Sequence, residues 1–235
     1  MSHFHFDPRA FIIGLVVIVC SISLHEFGHA ISADRLGDST PRRDGRITLW
    51  PDRHFDPVGF GMMVFTLISG FGLGWGKPVR VNFGAFSKPR RDILIVSAFG
   101  PLMNLILAVA AGLAIRVSFA TGHAAWLVDP AASGPQSFVT GMPSSIAGQI
   151  VEAVLFINLS LMFFNLIPIP PLDGSKILWS VLPGDLADGF SRLMGQFGMI
   201  LLLVLLFTGM TGKIILPAIE TSTEALIGDT QSDVQ

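Results

Sequence analysis

The sequence is short of charge. Only 14% of its 235 residues are Asp, Glu, Lys or Arg, against roughly 25% in soluble domains. From Ala10 to Leu24 there is no charge of either sign. Long polar stretches are missing too, so no separate soluble domain has room. Cysteine occurs once, at Cys20. No internal disulfide can form, and Cys20 reads as a small packing residue. The net charge of −2 carries no basic surplus for nucleic acid. Internal repeats and low-complexity stretches are absent. The first apolar run also lacks the marks of a cleavable signal peptide. Only Arg9 precedes it, and no small-residue cleavage site follows.

What is abundant is apolar sequence. Hydrophobic residues make up 51% of the chain, and mean hydropathy is +0.63. Apolar runs occupy 10–33, 57–76, 93–119, 146–168 and 190–216. A spanning helix needs roughly 20 such residues. The expectation is an all-α polytopic membrane protein, built as one transmembrane domain over 1–235. The run 57–76 stands apart. It holds Gly59, Gly61, Gly70, Gly72, Gly74 and Gly76, and each glycine costs a helix about 1 kcal/mol against alanine. Two basic stretches flank it. Residues 34–56 hold Arg35, Arg42, Arg43, Arg46 and Arg53; residues 77–92 hold Lys77, Arg80, Lys88, Arg90 and Arg91. Short basic loops stay cytoplasmic. The run between them should therefore enter and leave by one face, as a re-entrant segment. Four full spans remain, at about 10–33, 93–119, 146–168 and 190–216. Alternating residues after the re-entrant run, in "KPVRVNFGAF", predict a short β-like edge segment over about 77–86. The tail 218–235 is polar and expected to be disordered.

Inside the first span lies "SISLHEFGHAIS", residues 21–32. Ionisable groups within a span mark function by default. His25 and His29 are four residues apart, on one helix face, so both rings can reach one ion. Glu26 sits beside them without ligating. H-E-x-x-H thus reads as two zinc ligands and a general base.

A catalytic zinc site usually takes three protein ligands. His3, His5 and His123 are expected outside. His54 lies in the cytoplasmic loop, and Glu152 lies at the wrong depth. Asp173 in "FNLIPIPPLDGSKIL" is the best remaining candidate. Pro168, Pro170 and Pro171 break any helix there, and a carboxylate at membrane depth needs a strong partner. The competing reading is a helix-capping aspartate. The two sites can meet only if the first and the 146–168 spans run the same way. That again requires 57–76 not to cross.

At this point the residues resemble the site-2 protease family of intramembrane zinc metalloproteases. "HEFGH", "GPLMN" and "NLIPIPPLDG" carry the likeness, from about 15 to 180. Asn165, Pro168, Leu172, Asp173 and Gly174 match the family's N-x-x-P-x-x-x-L-D-G pattern. The resemblance implies one Zn2+ per chain on His25, His29 and Asp173, with Glu26 activating water. "GWGKPVRVN" is similar to the family's stretch that forms an edge for substrate pairing. The chain has no room for a PDZ domain and no CBS domains, so it looks like a compact branch.

The expected partners are the lipid bilayer and a transmembrane protein substrate, which in relatives is usually cut first by another protease. The expected location is the prokaryotic cytoplasmic membrane, with the active site nearer the cytoplasmic face. Asn104 and Asn165 are candidates for holding the substrate backbone, against the plainer reading of interhelical hydrogen bonds. Two rivals stay open: a transporter with an ion relay through the His/Glu/Asp cluster, and an inactive zinc-binding scaffold.

Overall fold

A computed structural model describes residues 7–69, 74–127 and 145–228. His3 and His5 lie outside these, as do the glycines at 70 and 72. Among the described residues there are eight α-helices: α1 Pro8–Arg35, α2 Thr40–Arg43, α3 Pro57–Ser69, α4 Pro89–Ala120, α5 Ile146–Asn165, α6 Asp173–Val181, α7 Gly184–Phe207 and α8 Met210–Ile227. No strand occurs among the described residues. Four helices, α1, α4, α5 and α7, are long and apolar enough to cross a membrane. The protein is an integral membrane protein.

Local sequence sets several of the helix ends. Asp7 caps α1 through its side chain, with Pro8 at the first position, where its missing N–H costs nothing. Ser145 caps α5 by accepting from the Gly148 N–H. α4 tolerates Pro101 inside it.

Side-chain pairs fix the directions of the central helices. His25 of α1 meets Asn104 of α4, and His29 meets Val96, so α1 and α4 are antiparallel. Asn158 of α5 bonds both Asn104 and Ser21, one turn before His25. Asn165, seven residues further along α5, lines one cavity with His25 and His29, so α5 runs with α1.

Between α1 and α4 the chain makes a short excursion. α3 has 13 residues, which is about 20 Å of helix against about 30 Å of hydrocarbon. The chain returns to where it left: Lys77 N–H donates to His54 O at 2.8 Å. Gly59 makes the return possible, because a Cβ there would overlap the Trp75 carbonyl. The run thus contains a helix despite its glycines. The expected edge segment is neither helix nor strand over 74–82 and pairs in no ladder among the described residues; the alternation of Val79, Arg80 and Val81 between two cavities is that of an extended chain.

The C-terminal part differs from expectation. The apolar run 190–216 is not one span. α7 stops at Phe207, and Gly209 turns the chain in the left-handed region (φ 69°), which favours glycine. The polar tail is not disordered through 218–227. Those residues complete α8, whose Ile219 and Ile227 pack in the main core with Ala108, Ala111, Ile115, Leu155 and Leu159. Ile215 lies near the end of α5 and Leu226 lies on Gly112, so α8 climbs beside α4 in the same direction. Its polar residues masked an amphipathic pattern. Residues 229–235 fall outside the described chain.

Candidate metal centre

The last third of α1 carries His25 and His29 on its buried face. Their Nε2 atoms stand 3.1 Å apart. Asp173, the first residue of α6, brings its Oδ2 to 3.2 Å from His25 Nε2 and 3.0 Å from His29 Nε2. Asp173 is delivered by the proline-broken segment 166–172, whose Ile167, Ile169 and Leu172 pack against Leu202 of α7. Its position at the start of α6 suits a carboxylate. The other oxygen, Oδ1, accepts from Lys176 Nζ at 3.1 Å.

The outer faces of both imidazoles are also fixed. His29 Nδ1 lies 2.8 Å from the Val96 carbonyl, which can only accept. His29 Nδ1 therefore carries a proton. For His25 the logic runs through two asparagines. Asn158 Nδ2 donates to the Val154 carbonyl and to Ser21 Oγ. Its Oδ1 then accepts from Asn104 Nδ2. That leaves Asn104 Oδ1 facing His25 Nδ1 at 2.7 Å, so this nitrogen too is protonated. Neutral imidazoles with Nδ1–H present a lone pair at Nε2. Two such lone pairs and a carboxylate oxygen converge, and like ends repel. The arrangement needs a positive charge at its centre. The donor set His, His, Asp suits zinc, and the three ligand atoms lie within 4.8 Å of one another. The residues therefore fit the metal.

Space for the rings comes from α4. A Cβ on Gly100 would stand 2.6 Å from His25 Nε2 and closer still to His29. Only glycine lets α4 pass there, which explains the first residue of "GPLMN".

The centre opens on a cavity of ≈ 320 Å³ lined by His25, Glu26, His29, Val79, Asn165 and Asp173, among others. Glu26 is half-buried and accepts from the Val79 N–H at 2.8 Å. Asn165 lines the cavity, with its Nδ2 tied to Leu161 O. Asn104 does not. It is 0% exposed and both ends of its amide are used, so the expected substrate contact is corrected to an orienting contact on His25. The sequence reading missed Asn158, Gly100 and Lys176. The first two sit on helix faces that a periodicity count registers only as small or polar. Lys176 could have been suspected from its i+3 spacing to Asp173.

Of the other histidines, His54 is buried on the Thr48 carbonyl and does not join the cluster of His25, His29 and Asp173. Burial pushes its pKa down, with the Arg46 charge adding to the effect and the Thr48 bond opposing it. His123 precedes the short turn at Ala124–Trp126, beyond the far end of α4.

The sequence profile of peptidase family M50 matches residues 10–206. Two similar proteins carry the name "Putative zinc metalloprotease". YwhC of Bacillus subtilis is 32% identical over 228 residues, covering 97% of this chain and 95% of that protein. Rip2 of Mycobacterium tuberculosis is 34% identical over 191 residues, covering 79% of this chain and 62% of that protein. No solved structure matches. With an HExxH helix in its first span, a zinc-type donor set and a profile match over most of its length, the chain belongs to peptidase family M50, the site-2 type of zinc metalloprotease.

Proposed function

We propose that this protein hydrolyses a peptide bond within or near the transmembrane segment of a membrane-protein substrate, using one zinc ion held by His25, His29 and Asp173. The observation that carries the reading is the convergence of the His25 and His29 Nε2 atoms and an Asp173 carboxylate oxygen, 3.0–3.2 Å apart, on one wall of a cavity that also holds Glu26. Zinc bound there would supply Lewis-acid polarisation of the scissile carbonyl and make water a better nucleophile.

The chain's own residues do the rest. Glu26 takes the proton from the attacking water and returns it to the leaving amine. The Val79 N–H holds one Glu26 oxygen and keeps the base beside the extended segment. Asn104 and Val96 hold the rings so that Nε2 points inward. Asn165 and the 77–82 segment hold the substrate. A helical substrate hides its carbonyls in its own hydrogen bonds, so it must unwind. An extended peptide can then pair with an exposed edge. The carbonyls of Val79 and Val81 and the Val81 N–H, on the side where the Val79 N–H meets Glu26, have no partner among the described residues, which supports that pairing.

The membrane placement follows from charge. The basic stretches 34–56 and 77–92 lie at the end of the bundle that holds the metal-binding residues. This supports a cytoplasmic-side active site in a prokaryotic cytoplasmic membrane and a re-entrant 57–76.

The test is cleavage of a model single-span substrate by the detergent-purified protein, with and without a zinc chelator, alongside Glu26→Gln. Cleavage should stop with chelator, return with zinc, and fall by about 10²–10⁴-fold in Glu26→Gln. Unchanged cleavage in Glu26→Gln would remove the mechanism. Ion flux without zinc would favour the transporter.

A further inference from the structure

The extended segment after the excursion borders two cavities. Val79 and Val81 line the metal cavity, and Arg80 lines a second one of ≈ 650 Å³ on the other side. Pro78 borders both. Side chains of an extended chain alternate between faces, and over 79–81 this sets Val79 and Val81 in one cavity and Arg80 in the other, while Lys77, at the start of the segment, also lines the second. The second cavity is further lined by Asp44, Arg46, Asp52, Arg53 and Lys77. Four cations thus face two carboxylates. Asp44 is taken by Arg80 through two hydrogen bonds of 2.9 and 2.7 Å. Asp52 approaches Arg53 only to 3.6 Å, with both side chains largely exposed, a pairing of little strength. Arg46 is buried, donates to the Arg53 and Lys77 carbonyls, and leaves its Nε–H without a partner among the described residues. Lys77 has no ion pair among them either. The cavity therefore holds a net positive charge, centred on Arg46 and Lys77.

We infer that this basic cavity is a specificity site for acidic side chains of the substrate, flanking the scissile bond. The inference rests on the protease reading above. A substrate strand added to the free edge at Val79 and Val81 sets its residues opposite those of the segment, and opposite residues share a face. Every second substrate side chain then enters the metal cavity, and the intervening ones enter the basic cavity. Asp or Glu at an intervening position meets Lys77 and the Arg46 charge. Lys or Arg meets like charge, which costs specificity as surely as the match supplies it. The same basic residues could instead hold an anionic lipid headgroup; the register of the extended segment, with Arg80 in the cavity and Val79 beside the metal, favours the peptide.

The test uses the full-length, zinc-loaded protein in detergent and a set of single-span model substrates. Each position flanking the cut is set in turn to Asp, Asn or Lys. Wild type should cut the Asp form faster than the Lys form by about fivefold in kcat/KM at positions two residues apart, and not at those between, in keeping with an exposed charge pair. Lys77→Gln should bring that ratio near one, and Lys77→Glu should invert it. Raising salt should shrink it. A wild-type ratio near one everywhere, or a ratio that survives Lys77→Glu, overturns the proposal while leaving the protease reading intact. An unchanged ratio in Lys77→Glu, with loss of phosphatidylglycerol that co-purifies with wild type, also overturns it and assigns the cavity to lipid. If no substrate is cut by wild type under any condition, the protease reading fails and takes this proposal with it.

Discussion

His25 Nδ1 and Asn104 Oδ1 face each other at 2.7 Å, both residues buried. The contact ties one candidate zinc ligand, through Asn158 and Ser21, to three helices at once. Partners of this kind typically contribute 10–100-fold to metal affinity. Asn104→Ala should therefore weaken zinc binding by about 10–100-fold, measured by competition with a chelator of known affinity. Affinity equal to wild type would show that the ring needs no such anchor.

Gly100 makes a second, steric prediction. Gly100→Ala puts a methyl among the Nε2 atoms. Since α1 and α4 must separate to admit it, zinc content should fall well below that of wild type. A cost of about 1–3 kcal/mol in stability should accompany it, as for other overpacked sites. A stoichiometric zinc content in this variant would contradict the geometry.

His54 offers a pH test outside the metal-binding residues. Burial holds its pKa below 6.5, the unfolded value. The unfolded chain thus takes up a proton first as pH falls. The stability that neutral His54 contributes is complete above about pH 6.5 and lost as pH drops through the folded value. Thermal melting should fall more steeply between pH 7 and 5.5 in wild type than in His54→Gln. Parallel curves would mean that the ring is free to protonate in the fold.

The excursion between α1 and α4 can be tested by sidedness. In a Cys20→Ala background, cysteines replacing Arg43 and Ala85 should both react from the cytoplasmic side of sealed vesicles. A cysteine at Thr121 should react from the other. Opposite labelling of positions 43 and 85 would make 57–76 a full crossing.

How much of this could be read in the sequence depended on chemistry more than on periodicity. His25, Glu26 and His29 stood out because ionisable groups are costly in a span, and Asp173 followed from the prolines before it and from the parity of crossings. The return of the chain between 54 and 77 was foreshadowed by the arginines on both sides. Other features left weaker traces. The role of Asn104 turned on which way one amide faces, which only its neighbours Asn158 and Val154 decide. The break at Gly209 was hidden because apolar residues continue on both sides of it. α8 was missed since Glu220, Thr221 and Glu224 made it look like a tail, while Ile219 and Ile227 bury the face that matters.

Zinc content per chain, measured by elemental analysis on the purified full-length protein, tests the central claim most directly. The account predicts one zinc per chain in wild type, one in Glu26→Gln, and far less than one in His25→Ala, His29→Ala and Asp173→Ala. Full zinc content in the Asp173→Ala variant, or none in a wild type that still cuts its substrate, would contradict it.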